Sequence, residues 1–219
     1  MDKKEIQRRR IMGYFIEAAN QIIEEEGIES VTIRKVADIA GYNSATLYNY
    51  FHDLDHLLFF ASMKYLKDYA FDLPNYVKGS ENALDKFLRI WECFCHHSYN
   101  KPKIYYTILF DKYSDSINDA VREYYSIFPE ELGDQSTDLL PMLLEKNIYA
   151  RDMAVLKSCA EEGFFDKKYL EEINEMILLL YQSLLLRFLN NQTDYTVNEA
   201  IKKTIRYIRQ IIKSFENEK

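Results

Sequence analysis

Apolar side chains recur at intervals of three and four residues along most of this sequence, which is the spacing of one face of an α-helix. The pattern runs longest without interruption between Tyr169 and Asn190. A chain of 219 residues with only 6 Gly and 4 Pro has few of the residues that many short strands and tight turns require. The sequence therefore predicts an all-α fold.

The predicted helices form an N-terminal group and a C-terminal group. We expect a three-helix helix-turn-helix domain over residues 1–52, a connecting helix from Asp53 to about Leu73 that is closed by Pro74, and a helical-bundle body over residues 74–219. The pattern leaves the boundaries between residues 112 and 152 open. The other predicted helices cover about residues 4–27, 32–41, 44–51, 81–99, 104–112, 117–128, 152–162, 169–190 and 196–215.

The last two predicted helices are apolar over a wide part of their circumference. A second stripe (Met176, Leu179, Ser183 and Leu186) runs beside the main stripe of the first of them. Such a helix must be covered on two sides, either in a thick core of one chain or in a helix pair between subunits. We assign the main stripes to a dimer interface, formed by Ile173, Ile177, Leu180, Leu184, Phe188, Ile201, Ile205, Ile208 and Ile212.

The net charge of −7 argues against a protein that coats nucleic acid without regard to sequence, because phosphate binding is driven by Lys and Arg. Within residues 1–51, seven basic side chains against eight acidic ones leave a net charge of −1. Three of the basic residues, Arg8, Arg9 and Arg10, lie in the first turns of a helix, where cations oppose the helix dipole. Either solubility or a nearby phosphate explains them.

The segment from Thr32 to Phe51 is the most informative part of the sequence. It contains two short predicted helices separated by three residues, of which the first, Gly41, permits the left-handed backbone that a tight interhelical turn needs. Leu47 and Phe51 lie one turn apart and face the domain interior. The outward side chains are short or hydrogen-bonding, which suits a helix that enters the major groove: Ala45, Thr46, Tyr48, Asn49 and His52.

The same region resembles the N-terminal domain of the tetracycline-repressor (TetR) family of transcriptional regulators. The resemblance is carried by the segments AANQIIEEEGI (18–28), VTIRKVA (31–37) and AGYNSATLYNYF (40–51). It covers about residues 8–66, and the Thr-Leu-Tyr-x-Tyr-Phe core stands at the spacing of the family. The remaining two thirds resembles the family only in being helical with two long closing helices.

This resemblance implies a homodimer that binds a palindromic operator in double-stranded DNA and is usually released when a small molecule fills the body. At the matching positions, Thr32 and Arg34 would contact the DNA backbone, and Tyr48 and Tyr50 would bond phosphates. The bases would be contacted by Ala45, Thr46 and Asn49. Ser44, His52 and Leu54 stand where family members often carry basic residues, so phosphate contacts there are weakened, although Ser44 and His52 remain DNA-facing candidates.

The aromatic content of the body, with 18 Tyr and 13 Phe in the whole chain, suits an effector pocket, although helical aromatic residues are often plain core. Arg187 lies in an otherwise apolar helix, where it either anchors an anionic ligand or extends to solvent. The candidate pocket residues are Trp91, Phe94, Cys95, Tyr99, Tyr106, Phe110, Tyr181 and Arg187.

The segment Cys93-Phe-Cys-His-His97 is the one candidate for metal or redox chemistry. Cys93 and His97 share a helix face, as do Glu92 and His96, but no second ligand pair accompanies them. We expect buried thiols and no cofactor. Sequences typical of nucleotide-binding and hydrolase active sites are absent from the chain, so we expect no enzyme.

Three cysteines and an N-terminus without an apolar stretch predict a cytoplasmic protein, and no segment is long enough to span a membrane. The interpretation is a ligand-responsive homodimeric repressor. The alternative is a helical ligand-binding or scaffold protein whose DNA binding is weak or lost.

Overall fold

The computed structural model describes residues 3–111, 113, 120–133, 139–145 and 147–216. These residues form α-helices joined by turns and short 3₁₀ segments, and no strand occurs among them, which confirms the all-α prediction. The α-helices are α1 (Lys3–Glu26), α2 (Ile33–Ala40), α3 (Ser44–Leu47), α4 (Leu54–Met63), α5 (Leu66–Val77), α6 (Ala83–Asn100), α7 (Pro102–Phe110), α8 (Ala120–Ile127), α9 (Leu140–Leu143), α10 (Ile148–Glu161), α11 (Leu170–Leu189) and α12 (Val197–Ser214).

The chain divides into two compact units. The first comprises residues 1–67 and 107–133, and the second comprises residues 68–106 and 134–219. The domain boundaries predicted at residues 52 and 73 do not coincide with the boundaries of these two units. The assignment of functions to residues 1–52 and 74–219 stays a prediction.

Helix α1 is the centre of the first unit, where α2, α4 and α8 pack against it. Its buried Phe15 meets Phe51 edge to face, with ring centroids 6.3 Å apart, and Phe51 in turn contacts Phe60 of α4. Arg8 forms an ion pair with Glu123 of α8. The short helices α2 and α3 are thus held by aromatic packing on α1 rather than by their own length.

The second unit is built on α6, against which α10 and α12 pack, while α11 packs on both α10 and α12. Two buried polar contacts cross it. The Trp91 indole donates to Asp152 over 2.8 Å, and the hydroxyls of Tyr99 and Thr204 lie 2.8 Å apart. Because a buried polar atom must be paired to avoid a desolvation cost, these contacts fix the orientation of α6 against its neighbours.

Several helix ends are set by side-chain caps that the sequence reveals. Thr32 and Asp53 accept hydrogen bonds from the third backbone N–H after each of them, at the starts of α2 and α4. Thr196 and Glu199 form a capping box at the start of α12. Gly41 has φ of 76°, as the predicted turn requires.

Three predicted boundaries in the first part of the chain are wrong. The helix expected over residues 44–51 ends at Leu47, and the chain continues in turns to Tyr50. The connecting helix is interrupted after Met63, where the N–H groups of Tyr65 and Lys67 bond carbonyls three residues back, as in a 3₁₀ turn. Pro74 lies inside α5, which extends to Val77, so the expected loop over residues 75–80 begins later.

Other boundaries shift by a few residues. Asn82 caps α6, which begins at Ala83, and α7 begins at Pro102, where a missing N–H costs nothing. Asn147 caps α10, so that helix starts four residues before the predicted Asp152. The predicted helix ends at Lys112 and Ile117 lie outside the described residues.

Most of the residues assigned to the dimer interface are already buried within the single chain. Six of its nine residues are buried in this chain, where they fill the core between α6, α10, α11 and α12: Ile173, Ile177, Leu184, Ile201, Ile208 and Ile212. Leu180, Phe188 and Ile205 are partly exposed. The second stripe is the one that faces outward, since 41% of Met176 and 60% of Leu179 remain exposed.

Candidate DNA-binding site

The helix-turn-helix is formed by α2, the turn at Gly41–Asn43, and α3. The N–H of Tyr42 bonds the carbonyl of Ala37 at 2.9 Å, which closes the left-handed end of α2. Asn43 then begins α3 by accepting from the N–H of Thr46 at 2.8 Å. These local bonds place the start of α3 directly after the turn and fix which of its side chains face outward.

The outward face of this segment matches the predicted recognition surface in large part. Leu47 and Phe51 are buried, as expected for the inward face. Six of the DNA-facing candidates are exposed: Thr32, Arg34, Ala45, Tyr48, Asn49 and His52. Tyr48, at 56% exposure, stands out furthest among the aromatic side chains of this segment.

The other candidates are placed differently. Ser44, Thr46 and Tyr50 are only partly exposed. The Thr46 hydroxyl donates to Asn43 at 3.0 Å, and the Tyr50 ring lies 6.0 Å from that of Phe15. Side-chain contacts with Asn43 and Phe15 therefore hold Thr46 and Tyr50.

Most of the basic residues in this region pair within the chain. Arg8 pairs with Glu123, Arg9 bonds Glu5 at 3.0 Å, and Lys35 bonds Glu26 at 2.7 Å. Arg10 donates to the Tyr14 hydroxyl at 2.9 Å. The exposed Arg34 makes no ion pair among the described residues, so it presents its full charge at the start of α2.

A buried histidine supports the end of the recognition segment, and sequence reasoning missed it. His56 Nδ1 accepts from the N–H of His52 at 3.0 Å, and its ring stacks on His52 and Tyr113. The Tyr113 hydroxyl donates to Asp53, the cap of α4. Burial lowers the His56 pKa to about 4, with the nearby His52 lowering it further. Phe51 and Phe60, which contact the His56 ring, are the sequence neighbours that could have indicated its burial.

The cysteine and histidine segment on α6 shows no metal-ligand arrangement among the described residues. Cys93 and Cys95 are buried, and burial raises the pKa of the Cys95 thiol to about 12. His97 Nε2 lies 3.0 Å from Asp72, and burial lowers the pKa of that imidazole. These groups are held in protein contacts, and the ring of the exposed His96 meets that of His97 edge to face, with centroids 5.3 Å apart.

The second unit contains a small cavity of about 30 Å³ between α6, α9 and α10. Of the predicted pocket residues, Trp91 and Phe94 line it. The sequence did not single out its other lining residues, which come from α5, α6, α9 and α10: Tyr69, Ile90, Met142, Ile148, Arg151, Asp152 and Val155.

The remaining predicted pocket residues do not line this cavity. Cys95, Tyr99 and Tyr181 are buried in the core, where the Tyr181 ring packs against Trp91 and Tyr99. Arg187 is exposed and donates to the carbonyl of Gln192, so it extends to solvent. Tyr106 is partly exposed, and Phe110 belongs to the first unit.

Two short helices joined by a glycine turn, with exposed polar side chains around the second helix, have the geometry of a helix-turn-helix motif. Residues 15–59 match the family model described as "Bacterial regulatory proteins, tetR family". The N-terminal part of the chain is therefore similar to this family of bacterial regulatory proteins.

A curated relative and two solved structures give the same picture. The chain is 27% identical over 94 residues to "HTH-type transcriptional regulator HbdR" of Aromatoleum sp. (strain CIB), a match that spans 43% of this chain and 40% of that protein. The structure of Thermus thermophilus FadR in complex with lauroyl-CoA is similar with a TM-score of 0.63 at 14% identity, covering 95% of this chain and 97% of that one.

The structure of RolR in complex with resorcinol has a TM-score of 0.58 at 17% identity and covers 97% of both chains. At these identities the two structures support the fold. Among the described residues, no helix is long and apolar enough to cross a membrane.

Proposed function

We propose that this chain is a homodimeric transcriptional repressor that binds a palindromic operator and releases it when a small molecule binds in the second unit. The observation that carries the proposal is the exposed polar face around α3, held on α1 by the buried Leu47 and Phe51. Exposed hydrogen-bonding side chains on a rigid support are what base readout requires.

Within this proposal, residues 1–52 read the DNA, the helices over about 53–73 connect, and residues 74–219 bind the effector and dimerise. Ala45, Thr46 and Asn49 face the bases, and Asn49 offers the paired hydrogen bond that suits adenine. The DNA backbone is met by Thr32, Arg34, Ser44, Tyr48, Tyr50 and His52. The proposed function includes a cytoplasmic location, where a bacterial operator would be bound.

A dimer spaces the two recognition segments about 34–36 Å apart, which is one turn of the double helix. The exposed apolar side chains of Met176 and Leu179 on α11 support a helix pair between subunits that is centred on the second stripe. Burying such a surface gives the helix the second cover that its wide apolar circumference requires.

The complexes of FadR with lauroyl-CoA and of RolR with resorcinol support a small-molecule effector for this chain. Coupling between effector and operator sites is typically about 1–3 kcal/mol. A ligand that enlarges the cavity at Trp91 and Asp152 would favour one conformation of the second unit, and operator affinity would fall by that coupling energy.

The alternative is a ligand-binding or scaffold protein that does not read DNA. It is favoured by the ion pairs of Arg8, Arg9 and Lys35, which reduce the positive charge available to phosphates. Because these three basic side chains are paired with acids, any affinity for DNA depends on the other contacts of the recognition segment.

Selection of bound duplexes from a random DNA pool tests the proposal directly. The purified full chain is used at low and at near-physiological salt, with a Thr46→Ala, Asn49→Ala double variant as the matched control. The proposal predicts one enriched palindrome for the unsubstituted protein and loss of that enrichment in the variant. Equal, sequence-independent recovery by both proteins would favour the scaffold alternative.

A further inference from the structure

Asp152 carries an unused hydrogen-bonding atom inside the second unit. Its Oδ1 accepts the Trp91 indole N–H over 2.8 Å, whereas its Oδ2 is buried and has no hydrogen-bond partner among the described residues. The residue is 7% exposed and lines the cavity. A buried polar atom without a partner is costly to the fold, so its retention in a cavity points to a ligand.

The walls of the cavity suit a flat apolar molecule. The rings of Tyr69, Trp91 and Phe94 face it, and the last two meet edge to face with centroids 5.8 Å apart. Its volume of about 30 Å³ holds roughly one water molecule. Met142, a flexible side chain that adapts to different shapes, is one wall through which a small ring could be admitted.

The charges around the cavity disfavour a cationic ligand. The Arg151 guanidinium also lines it, and it is anchored by bonds to the carbonyls of Leu143 at 3.0 Å and Glu145 at 3.3 Å. A ligand cation would meet this buried positive charge. Burial raises the Asp152 pKa to about 8, so the carboxyl is mostly protonated at neutral pH and offers little negative charge to compensate.

A hydroxyl group matches Asp152 in both of its protonation states. When Oδ2 carries the proton, it donates a hydrogen bond to the hydroxyl oxygen of the ligand. When the carboxylate is ionised, the same hydroxyl donates to Oδ2. A methyl group does neither, and an ammonium group serves only the ionised form.

We propose that this cavity binds a small neutral aromatic molecule with a hydroxyl group, which bonds Asp152 Oδ2 while its ring packs against Trp91 and Phe94. The inference rests on the proposed function in placing the effector in the second unit. It adds the chemical class of the effector and the residue that selects for it.

Trp91 is the only Trp of the chain, so its fluorescence reports directly on the cavity. The full-length protein is titrated with 4-methylphenol, with p-xylene, in which a methyl replaces the hydroxyl, and with the benzylammonium ion. We expect 4-methylphenol to bind at least about tenfold more tightly than either comparison ligand. Equal binding of 4-methylphenol and p-xylene, tighter binding of benzylammonium, or no binding of any of the three would overturn the proposal.

Substitution of the carboxyl sharpens this test. In Asp152→Leu the affinity for 4-methylphenol should fall about tenfold, while p-xylene binds at least as well as before. Glu161→Gln, at an exposed position of the same helix, should change neither. A folded Asp152→Leu protein that still prefers 4-methylphenol to p-xylene would contradict the role assigned to Asp152. If the variant fails to fold, the comparison of the three ligands on the unsubstituted protein still tests the proposal.

Failure of this inference can be separated from failure of the proposed function by measuring operator binding in the same samples. Operator binding without any binding of ring compounds leaves the regulator intact and overturns the inference. Hydroxyl-selective binding that leaves operator affinity unchanged supports the cavity assignment and contradicts its coupling to DNA.

Discussion

The recognition segment in the first unit and the cavity in the second unit are built in contrasting ways. In the recognition segment, residues within 20 positions of one another supply the turn, the caps and the outward polar face. The cavity draws Tyr69, Trp91, Met142 and Asp152 from four helices far apart in sequence. Short-range patterns therefore predict the turn and the caps of the recognition segment, but not which residues line the cavity.

The largest expected effect tests whether aromatic packing holds the recognition segment. Phe51 is buried against Phe15 and Phe60, so Phe51→Ala should lower the free energy of unfolding by about 3–5 kcal/mol. Tyr48→Ala, at an exposed position three residues earlier, should change it by less than about 0.5 kcal/mol. Urea denaturation followed by circular dichroism measures both, and similar losses in the two variants would show that the segment is not anchored by its inward face.

The two units should respond to pH in opposite directions. The native pKa of His56 is lowered to about 4, whereas a histidine of the unfolded chain has a pKa of about 6.5. As pH falls from about 6.5 towards 4, the unfolded chain is protonated at this position and the folded protein is not. The folded state therefore loses stability over this range, by at most about 3 kcal/mol. The native pKa of Asp152 is raised to about 8, so its contribution is lost as pH rises from about 4 through 8.

Stability measured between pH 4 and 8.5 in the variants checks this. His56→Gln should remove the loss of stability as pH falls below about 6.5, and Asp152→Asn should remove the loss as pH rises from about 4 to 8. The two contributions oppose each other where these windows overlap. A profile that keeps its acidic slope in His56→Gln would assign that slope to other groups.

Base and phosphate contacts can be separated with two single variants on the selected operator. Thr46→Ala should weaken operator binding by about 1–3 kcal/mol and leave binding to unrelated DNA nearly unchanged. Arg34→Gln should weaken both by a similar amount and reduce the salt dependence by about one phosphate contact. Fluorescence anisotropy over a salt series gives both quantities, and interchanged behaviour of the two variants would reverse the roles assigned here.

The smallest effect concerns the cations that pair with acids. Lys35 bonds Glu26 on the surface, a contact worth less than about 1 kcal/mol. Glu26→Gln should therefore leave stability almost unchanged but strengthen binding to DNA of any sequence, with a steeper salt dependence. The matched control is Glu29→Gln, because Glu29 is exposed and makes no ion pair with Lys35. If Glu26→Gln leaves the affinity for nonspecific DNA unchanged, Lys35 does not face the phosphates.

The sequence was sufficient for features that depend on near neighbours. Helical periodicity, the caps at Thr32, Asp53 and Thr196, and the turn at Gly41 all follow from residues a few positions apart, and the structure bears them out. Pro74 misled because the proline can be accommodated within α5, which continues to Val77.

Features that depend on distant neighbours were missed. The stripe from Ile173 to Phe188 looks the same whether another subunit or the same chain covers it, and α10 and α12 of the same chain cover most of it. Asp152 was read as a helix start, since nothing in its local sequence shows that it lies beneath Trp91. The aromatic residues were identified as a set, but only packing decides which of them face a cavity.

The most direct test of the account is a base-by-base comparison of the sites selected by the unsubstituted protein and by Asn49→Ala. If the exposed face around α3 reads DNA as a symmetric dimer, the variant should lose preference at one base pair in each half-site and keep it elsewhere. An unchanged preference, or a uniform weakening at all positions, would contradict the claim that this face reads the operator.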